Sequence, residues 1–291
     1  MELAVLSGKG GTGKTTIATA LSELYGDVLR VDCDVDAPNL YLFYNGKDID
    51  KSDFLGGIKA EINSEICLKC NLCKNSCKFD AISNYAIDPF LCEGCGACSL
   101  VCPVSAITVV EEKTADTYIT KLEKGIISRA DMEIGSDGSG KLINYLRKNG
   151  KEFRRNEQLT IIDGSPGIGC SVISSITGVD MVVIVTEPTI SGLEDLMRVM
   201  ALCEHFNLIT MVCINKYDIN KEVTKEIEAF VLDKGQVIVG KIPYDDMVMK
   251  SINELKPINY YKDSIARRAI EDMWENILKY VKKKGRNILW K

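Results

Sequence analysis

The chain has 291 residues, 46% hydrophobic and 26% charged, a globular mix that excludes collagen-like, fibrous and largely disordered classes. Lys and Arg number 36 against 41 Asp and Glu, a net charge of −5, so sequence-independent binding to nucleic acid, which needs cations to displace phosphate counterions, is not expected. No run approaches the roughly 20 apolar residues of a membrane span and the start MELAVLSGKGG is unlike a signal peptide, so a cytoplasmic location is expected, where the twelve Cys read as metal or redox ligands rather than disulfides.

Leu3 to Leu6 predicts a strand that runs into Ser7-Gly8-Lys9-Gly10-Gly11-Thr12-Gly13-Lys14-Thr15-Thr16, after which Ile17, Leu21 and Leu24 recur at helical spacing. Val28 to Val31 and Leu159 to Ile162 predict strands that end in Asp32-Cys33-Asp34-Val35-Asp36 and Asp163-Gly164-Ser165-Pro166-Gly167. Further strands are expected at Met181 to Val185, Ile209 to Ile214 and Val237 to Val239, with helical patterns over 191–206 and 220–233 between them. This alternation predicts an α/β fold, a mostly parallel doubly wound sheet whose ligands bind at the carboxyl ends of its strands. Gly135 to Gly140 reads as a flexible loop before a short helix at 141–148. At the C-terminus Ile270, Met273, Trp274, Ile277, Leu278 and Val281 share one helical face, followed by Lys282-Lys283-Lys284 and Ile288-Leu289-Trp290. That face is expected to pack on the body; the alternative is a peripheral membrane contact through the basic and aromatic end.

The alternation stops between about 58 and 112, which divides the chain into 1–57, an insert at 58–112, and 113–291. Eight of the twelve Cys fall in 67–102, in two runs of C-x2-C-x2-C-x3-C set 25 residues apart, so the two halves are expected to be related by a pseudo-two-fold axis. This is the spacing of bacterial two-cluster ferredoxins, in which the fourth Cys of each run serves the other cluster. On that rule Cys67, Cys70, Cys73 and Cys102 hold one [4Fe–4S] centre and Cys92, Cys95, Cys98 and Cys77 the other. Zinc in two C-x2-C pairs is the alternative, but eight ligands exceed what it needs. Pro103 follows Cys102 as the pattern expects, whereas Lys78 stands after Cys77.

Gly8 to Thr15 fits G-x-x-x-x-G-K-[ST], the phosphate loop in which backbone N–H groups and a helix N-terminus surround phosphates, Lys14 meets the β/γ oxygens and Thr15 ligates Mg²⁺. Gly8, Lys9, Gly10, Gly11, Thr12, Gly13, Lys14, Thr15 and Thr16 are therefore the expected nucleotide contacts. Lys9 is too close in sequence to curl onto the phosphate that Lys14 holds, and is placed to reach a nucleotide on a second subunit. Asn215-Lys216-Tyr217-Asp218 follows a strand as a base-reading segment, and its form also matches the guanine-reading N-K-x-D, in which Asp218 would contact the base.

Together the lysine-bearing loop, Val31-Asp32-Cys33-Asp34-Val35-Asp36-Ala37-Pro38-Asn39-Leu40, Asp163-Gly164-Ser165-Pro166-Gly167 and Val212-Cys213-Ile214-Asn215-Lys216 resemble the deviant Walker A ATPases. These include MinD, ParA, the nitrogenase iron protein and the cytosolic iron–sulfur assembly ATPases. More specifically, the chain resembles MinD-superfamily ATPases with an inserted ferredoxin domain, over residues 1 to about 250. The resemblance implies an ATP- and Mg²⁺-dependent homodimer in which Lys9 reaches the partner's nucleotide, Asp34 orients the attacking water, Asp163 holds Mg²⁺ and Asn215 contacts adenine. An ordinary turn carboxylate is the other reading of Asp34. Cys170 lies seven residues past Asp163, the offset of a cluster-holding cysteine in the nitrogenase iron protein, which suggests a redox or metal-transfer role facing its symmetry mate. Cys203 and Cys213 read as buried structural thiols, and His205, on a helix, is not expected to act as a general base because phosphoryl transfer needs none. Saturated clusters suit electron transfer to a redox partner protein better than donation, so ATP-coupled electron transfer leads, ahead of a cluster carrier and a redox-sensing positioning switch.

Overall fold

The computed structural model describes residues 1–136, 139–155 and 158–285. It contains, in chain order, β1 (Glu2–Ser7), α1 (Lys14–Tyr25), β2 (Val28–Asp32), β3 (Lys47–Phe54), β4 (Gly57–Ile62), α2 (Leu72–Ser76), β5 (Ile82–Ser83), β6 (Ala86–Ile87), α3 (Ala97–Leu100) and β7 (Ile107–Glu112). There follow β8 (Ala115–Lys121), β9 (Ile126–Met132), α4 (Ser139–Phe153), β10 (Leu159–Pro166), α5 (Cys170–Ile176), β11 (Met181–Thr186) and α6 (Ile190–His205). The rest is β12 (Ile209–Asn215), α7 (Lys221–Asp233), β13 (Val237–Ile242), α8 (Asp246–Asn253) and α9 (Ile265–Lys283). The chain folds as two compact units: Met1–Lys51 with Thr117–Asp131 and the chain from Ser139 on, and Ser52–Asp116 with the short segment that begins at Met132. The span 58–112 lies within the second.

The sheet has nine strands in the order β13-β12-β11-β1-β10-β2-β9-β8-β3. From β13 to β9 each neighbouring pair is parallel, so the α/β architecture with a large, mostly parallel sheet is as expected. β1 and β11 are buried at every position, as continuous apolar runs covered by helices on both faces must be. The edge formed by β9, β8 and β3 was not expected, because its buried positions mix apolar residues (Ile119, Ile127, Ala130) with polar ones. Thr117 and Ser128 are fully buried, Ser128 Oγ donates to Leu146 O (2.8 Å), and the Arg129 guanidinium is stacked between Tyr41 and Tyr118, 4.4 and 4.0 Å from their ring centroids.

The helix expected at 141–148 runs from 139 to 153, because Asn149 and Gly150 do not end it; they are buried, and Gly150 lies against Leu29 and Ser128. Of the Gly135–Gly140 segment, Asp137 and Gly138 lie outside the described residues. The α9 face packs as expected: Ile270, Met273, Trp274, Ile277 and Val281 join the main core, with Tyr25 edge-on to Trp274 at 6.4 Å. Burial of this kind stabilises by about 1.5–3 kcal/mol per large side chain. Ile288, Leu289 and Trp290, named for the alternative of a peripheral membrane contact, lie outside the described residues. Among the described residues no helix is long and apolar enough to cross a membrane.

In the smaller unit β4 pairs antiparallel with β7, and β5 with β6. The sequence repeat is written into the backbone: residues 25 apart share the left-handed conformation, Lys69 with Gly94 (φ 55° and 62°), Asn71 with Gly96 (62° and 74°) and Asp80 with Ser105 (52° and 53°). The core consists of Ala60, Ile82, Cys98 and Ile107, with Cys73, Cys77, Cys92 and Cys102 packed against it.

Candidate functional site

At the carboxyl end of β1 the chain turns through Gly13, whose φ of 89° is open to glycine at little cost, straight into α1. A side chain there would also run into Asn215 Nδ2. Asn215, at the end of β12, donates that Nδ2 to Thr12 O (2.8 Å) and so ties the base-reading segment to the phosphate loop. Asp218 takes the backbone N–H of Tyr244 (2.8 Å), and Lys216 pairs with Glu187 (2.6 Å).

Lys14 and Thr15, the first residues of α1, both point at Asp163 on β10. Lys14 Nζ donates to Oδ1 and Thr15 Oγ1 to Oδ2, each at 2.6 Å. Asp34 Oδ2 lies 3.7 Å from the same ammonium. Asp32 accepts the backbone N–H groups of Asp34, Asn39 and Leu40 (3.2, 3.2 and 3.1 Å), which fastens both ends of the loop carrying Asp34. Asp32 and Asp163 are fully buried and Asp34 is partly so.

Asp163 and Asp34 thus share one ammonium, with Asp32 buried beside them. Burial, and then the charge of Asp163, pushes Asp32 up to about 7, and burial outweighs Lys14 in raising Asp34. Burial by itself draws the Lys14 ammonium down, but the charge and hydrogen bond of Asp163 reverse this and raise it. A surplus of buried oxygen donors of this kind, next to a hydroxyl, fits Mg²⁺.

Lys9 does not join this cluster. Its Nζ donates to Thr189 Oγ1 (3.3 Å) and Ser191 Oγ (3.2 Å) at the N-terminus of α6, two hydroxyls that sequence reasoning did not single out. Asp32 carries a legible signal as a strand-end carboxylate, but its part in holding the Asp34 loop follows only from the fold. Cys170 is exposed at the first residue of α5, and His205 is exposed at the last residue of α6. Cys203 and Cys213 are buried; burial pushes the Cys203 thiol up to about 11, raises Cys213 and takes Cys33 to about 12, so none offers a ready thiolate.

In the smaller unit the eight clustered Cys divide between two cavities. Cys67, Cys70, Cys73 and Cys102 line one, and Cys77, Cys92, Cys95 and Cys98 line the other. Each therefore takes three thiols from one run and the fourth from the other. Among the described residues no three His, Cys, Asp or Glu side chains converge on a single ion position. Four thiols lining one cavity, with Glu93 as the one charged residue among the linings of the two, fit a polynuclear group, which is wider than one ion.

Residues 3–258 match the family description "CobQ/CobB/MinD/ParA nucleotide binding domain". The chain is 33% identical to an uncharacterized protein of Methanocaldococcus jannaschii over 284 residues, covering 97% of this chain and 98% of the relative. It is 26% identical to an iron–sulfur cluster carrier protein of Pyrococcus horikoshii, covering 97% of this chain and 86% of the relative. Among solved structures it is similar to the septum site-determining protein MinD of Pyrococcus horikoshii in complex with Mg-ADP, with a TM-score of 0.58, 21% identity, and 97% and 98% of the two chains covered.

Proposed function

Because the chain belongs to the CobQ/CobB/MinD/ParA nucleotide-binding family, we propose that it is an Mg²⁺-dependent ATPase that dimerises on ATP and couples this to electron transfer through two [4Fe–4S] clusters. The observation that carries the reading is the sorting of eight Cys into two four-thiol cavities, in the same chain as the Lys14–Asp163–Asp34 cluster. Residues 58–112 then form a ferredoxin-like insert, and the two cavities hold one-electron centres.

In the ATPase, Lys14 exchanges its carboxylate partners for the β/γ phosphate oxygens, and Thr15 and Asp163 hold Mg²⁺, which offsets the phosphate charge. Asp34, freed from Lys14, orients the attacking water. Phosphoryl transfer needs alignment and charge neutralisation more than covalent catalysis, so these groups suffice. Asn215 contacts adenine; Asp218, which would read guanine, already accepts the Tyr244 N–H. Lys9 leaves Thr189 and Ser191 to reach the nucleotide of the partner subunit. The partner protein for the electron is a redox protein that no residue here identifies.

A second reading, an iron–sulfur cluster carrier, is favoured by the name of the Pyrococcus relative. Four thiols for each cluster weigh against it, since saturated centres suit electron transfer better than release. The test is an anaerobic redox titration of reconstituted protein without nucleotide, with MgADP and with a non-hydrolysed ATP analogue. Linkage is reciprocal, so a tenfold change in nucleotide affinity on reduction appears as a shift of about 59 mV for a one-electron couple. Clusters that titrate at the same potential in all three states would overturn the coupling, and transfer of iron and sulfide to an apo-ferredoxin would favour the carrier.

A further inference from the structure

The repeat in the smaller unit allows the surroundings of the two cavities to be compared position by position, and they differ in charge. Cys67 and Cys92 are followed by Leu68 and Glu93, and both of these residues line their cavities. Glu93 is the one charged residue among those lining the two. The next equivalent pair is Lys69 and Gly94, the next Lys74 and Ser99, and then Asp80 and Ser105. Of these four differences only Leu68 against Glu93 lies in the cavity linings; Lys69, Lys74 and Asp80 are exposed and line neither cavity. Lys78, equivalent to Pro103, is a further charge difference, and like the other three it is exposed and lines neither cavity.

Lys69 is exposed, but it lies beside a residue that lines the Cys67 cavity. Its ammonium sits 5.8 Å from the centroid of Tyr85, and Tyr85 lines the Cys67 cavity. Lys69 also occupies a left-handed backbone position, φ 55°, that its repeat partner fills with glycine. That conformation costs a residue with a Cβ about 1–2 kcal/mol, so the lysine stands at an energetically unfavourable place. On the same side the backbone N–H of Ala106 donates to Cys102 Sγ (3.2 Å). Nearby positive charge and N–H donors to the cysteine sulfurs favour the reduced, more negative cluster, and a carboxylate disfavours it.

We propose that the two centres are unequal, with the Cys67, Cys70, Cys73 and Cys102 centre at the higher potential and Glu93 and Lys69 as the residues that set the order. This rests on the cluster assignment proposed above. An electron supplied by a low-potential one-electron donor then comes to rest on the Cys67 side. In the internal step the reduced centre of the Cys92 set gives up one electron and returns to its oxidised level, and the oxidised centre of the Cys67 set takes it up; no bond forms or breaks and no proton moves. The Cys67 side is thus the exit to an acceptor.

The test uses full-length protein reconstituted anaerobically, with iron and sulfide counted first, then titrated with dithionite and followed by electron paramagnetic resonance. Two waves are expected. Glu93→Gln raises the lower wave alone and Lys69→Gln lowers the upper wave alone, each by about threefold in the one-electron equilibrium, or about 28 mV, while Lys69→Arg, which keeps the charge, leaves both in place. Coincident waves that neither variant moves, or a Glu93→Gln variant that moves the upper wave, overturn the inference and leave the cluster assignment standing. Protein that takes up no iron in the wild-type form overturns the assignment itself, and the inference with it.

Discussion

Lys14 is the residue on which this cluster of carboxylates depends most. It is 6% exposed and is the cation shared by Asp163 and Asp34, with Asp32 buried beside them. Lys14→Met keeps most of the volume and removes the charge, leaving buried carboxylates without their counter-ion. The expected cost is about 3–5 kcal/mol, together with loss of nucleotide binding. The effect has a pH signature. A carboxylate whose folded pKa is raised holds its proton more tightly in the native state, so the native state is favoured most below the unfolded value near 4 and loses that advantage as pH rises toward the folded value. For Asp32 in the wild type that value is about 7, set by burial and then by Asp163, and removing Lys14 takes away an interaction that lowers it. Urea unfolding at pH 5 and pH 8 should therefore find the variant closer to wild type at pH 5. An equal deficit at both values would mean that the three carboxylates do not interact through this ammonium.

At the scale of elements, one carboxylate starts two helices. Asp245 caps α8 by accepting the Met247 N–H (2.9 Å), and its other oxygen accepts Ser264 Oγ–H (2.6 Å) and the Ala266 N–H (3.0 Å) where α9 begins. Burial alone would raise its pKa, but these hydrogen bonds outweigh it and hold it below the ordinary range. A lowered folded pKa means stabilisation that is present above the unfolded value of about 4 and is lost as pH falls through the folded one. Asp245→Ala is expected to cost about 2 kcal/mol at pH 7 and distinctly less at pH 3, read from denaturant midpoints. A gap that stays constant down to pH 3 would show that the carboxylate charge is not what caps the two helices. This bridge was not legible in the sequence, because Ser264 and Asp245 are brought together only by the fold. The apolar face of α9 was legible, since its period survives in Ile270, Met273, Trp274, Ile277 and Val281. So were the phosphate loop and the cysteine sets, where spacing along the chain nearly determines geometry. The β9–β8–β3 edge was not, because Thr117, Ser128 and Arg129 are polar residues whose burial is made tolerable by partners distant in sequence.

For the molecule as a whole, the two units differ in what holds them. The larger one has a continuous core from β1 through β10, β11 and β12 to α9. The smaller one buries Ala60, Ile82, Cys98 and Ile107 and leaves Phe90 78% and Leu100 88% exposed. A unit of that size with so small a core gains little from apolar burial, and natural domains of this kind depend on cross-links or metal. Cys73, Cys77, Cys92 and Cys102 pack where further aliphatic side chains would otherwise be needed. If clusters join each set of four thiols, they tie α2, through Cys73, to Cys102 at the end of the second run, and α3, through Cys98, to Cys77 at the end of the first. Metal-binding free energy then becomes folding free energy. Stripping iron with a chelator under reducing conditions should therefore abolish hydrogen-exchange protection across 57–112. In the same sample β1, β10, β11 and β12 should stay protected and the MgADP affinity should change by less than about threefold, since the phosphate loop draws its support from the main core. Persistence of slow exchange at the β4–β7 backbone after complete iron loss would show that the smaller unit folds on apolar burial alone, and that its cysteines are held in place by the fold rather than holding it.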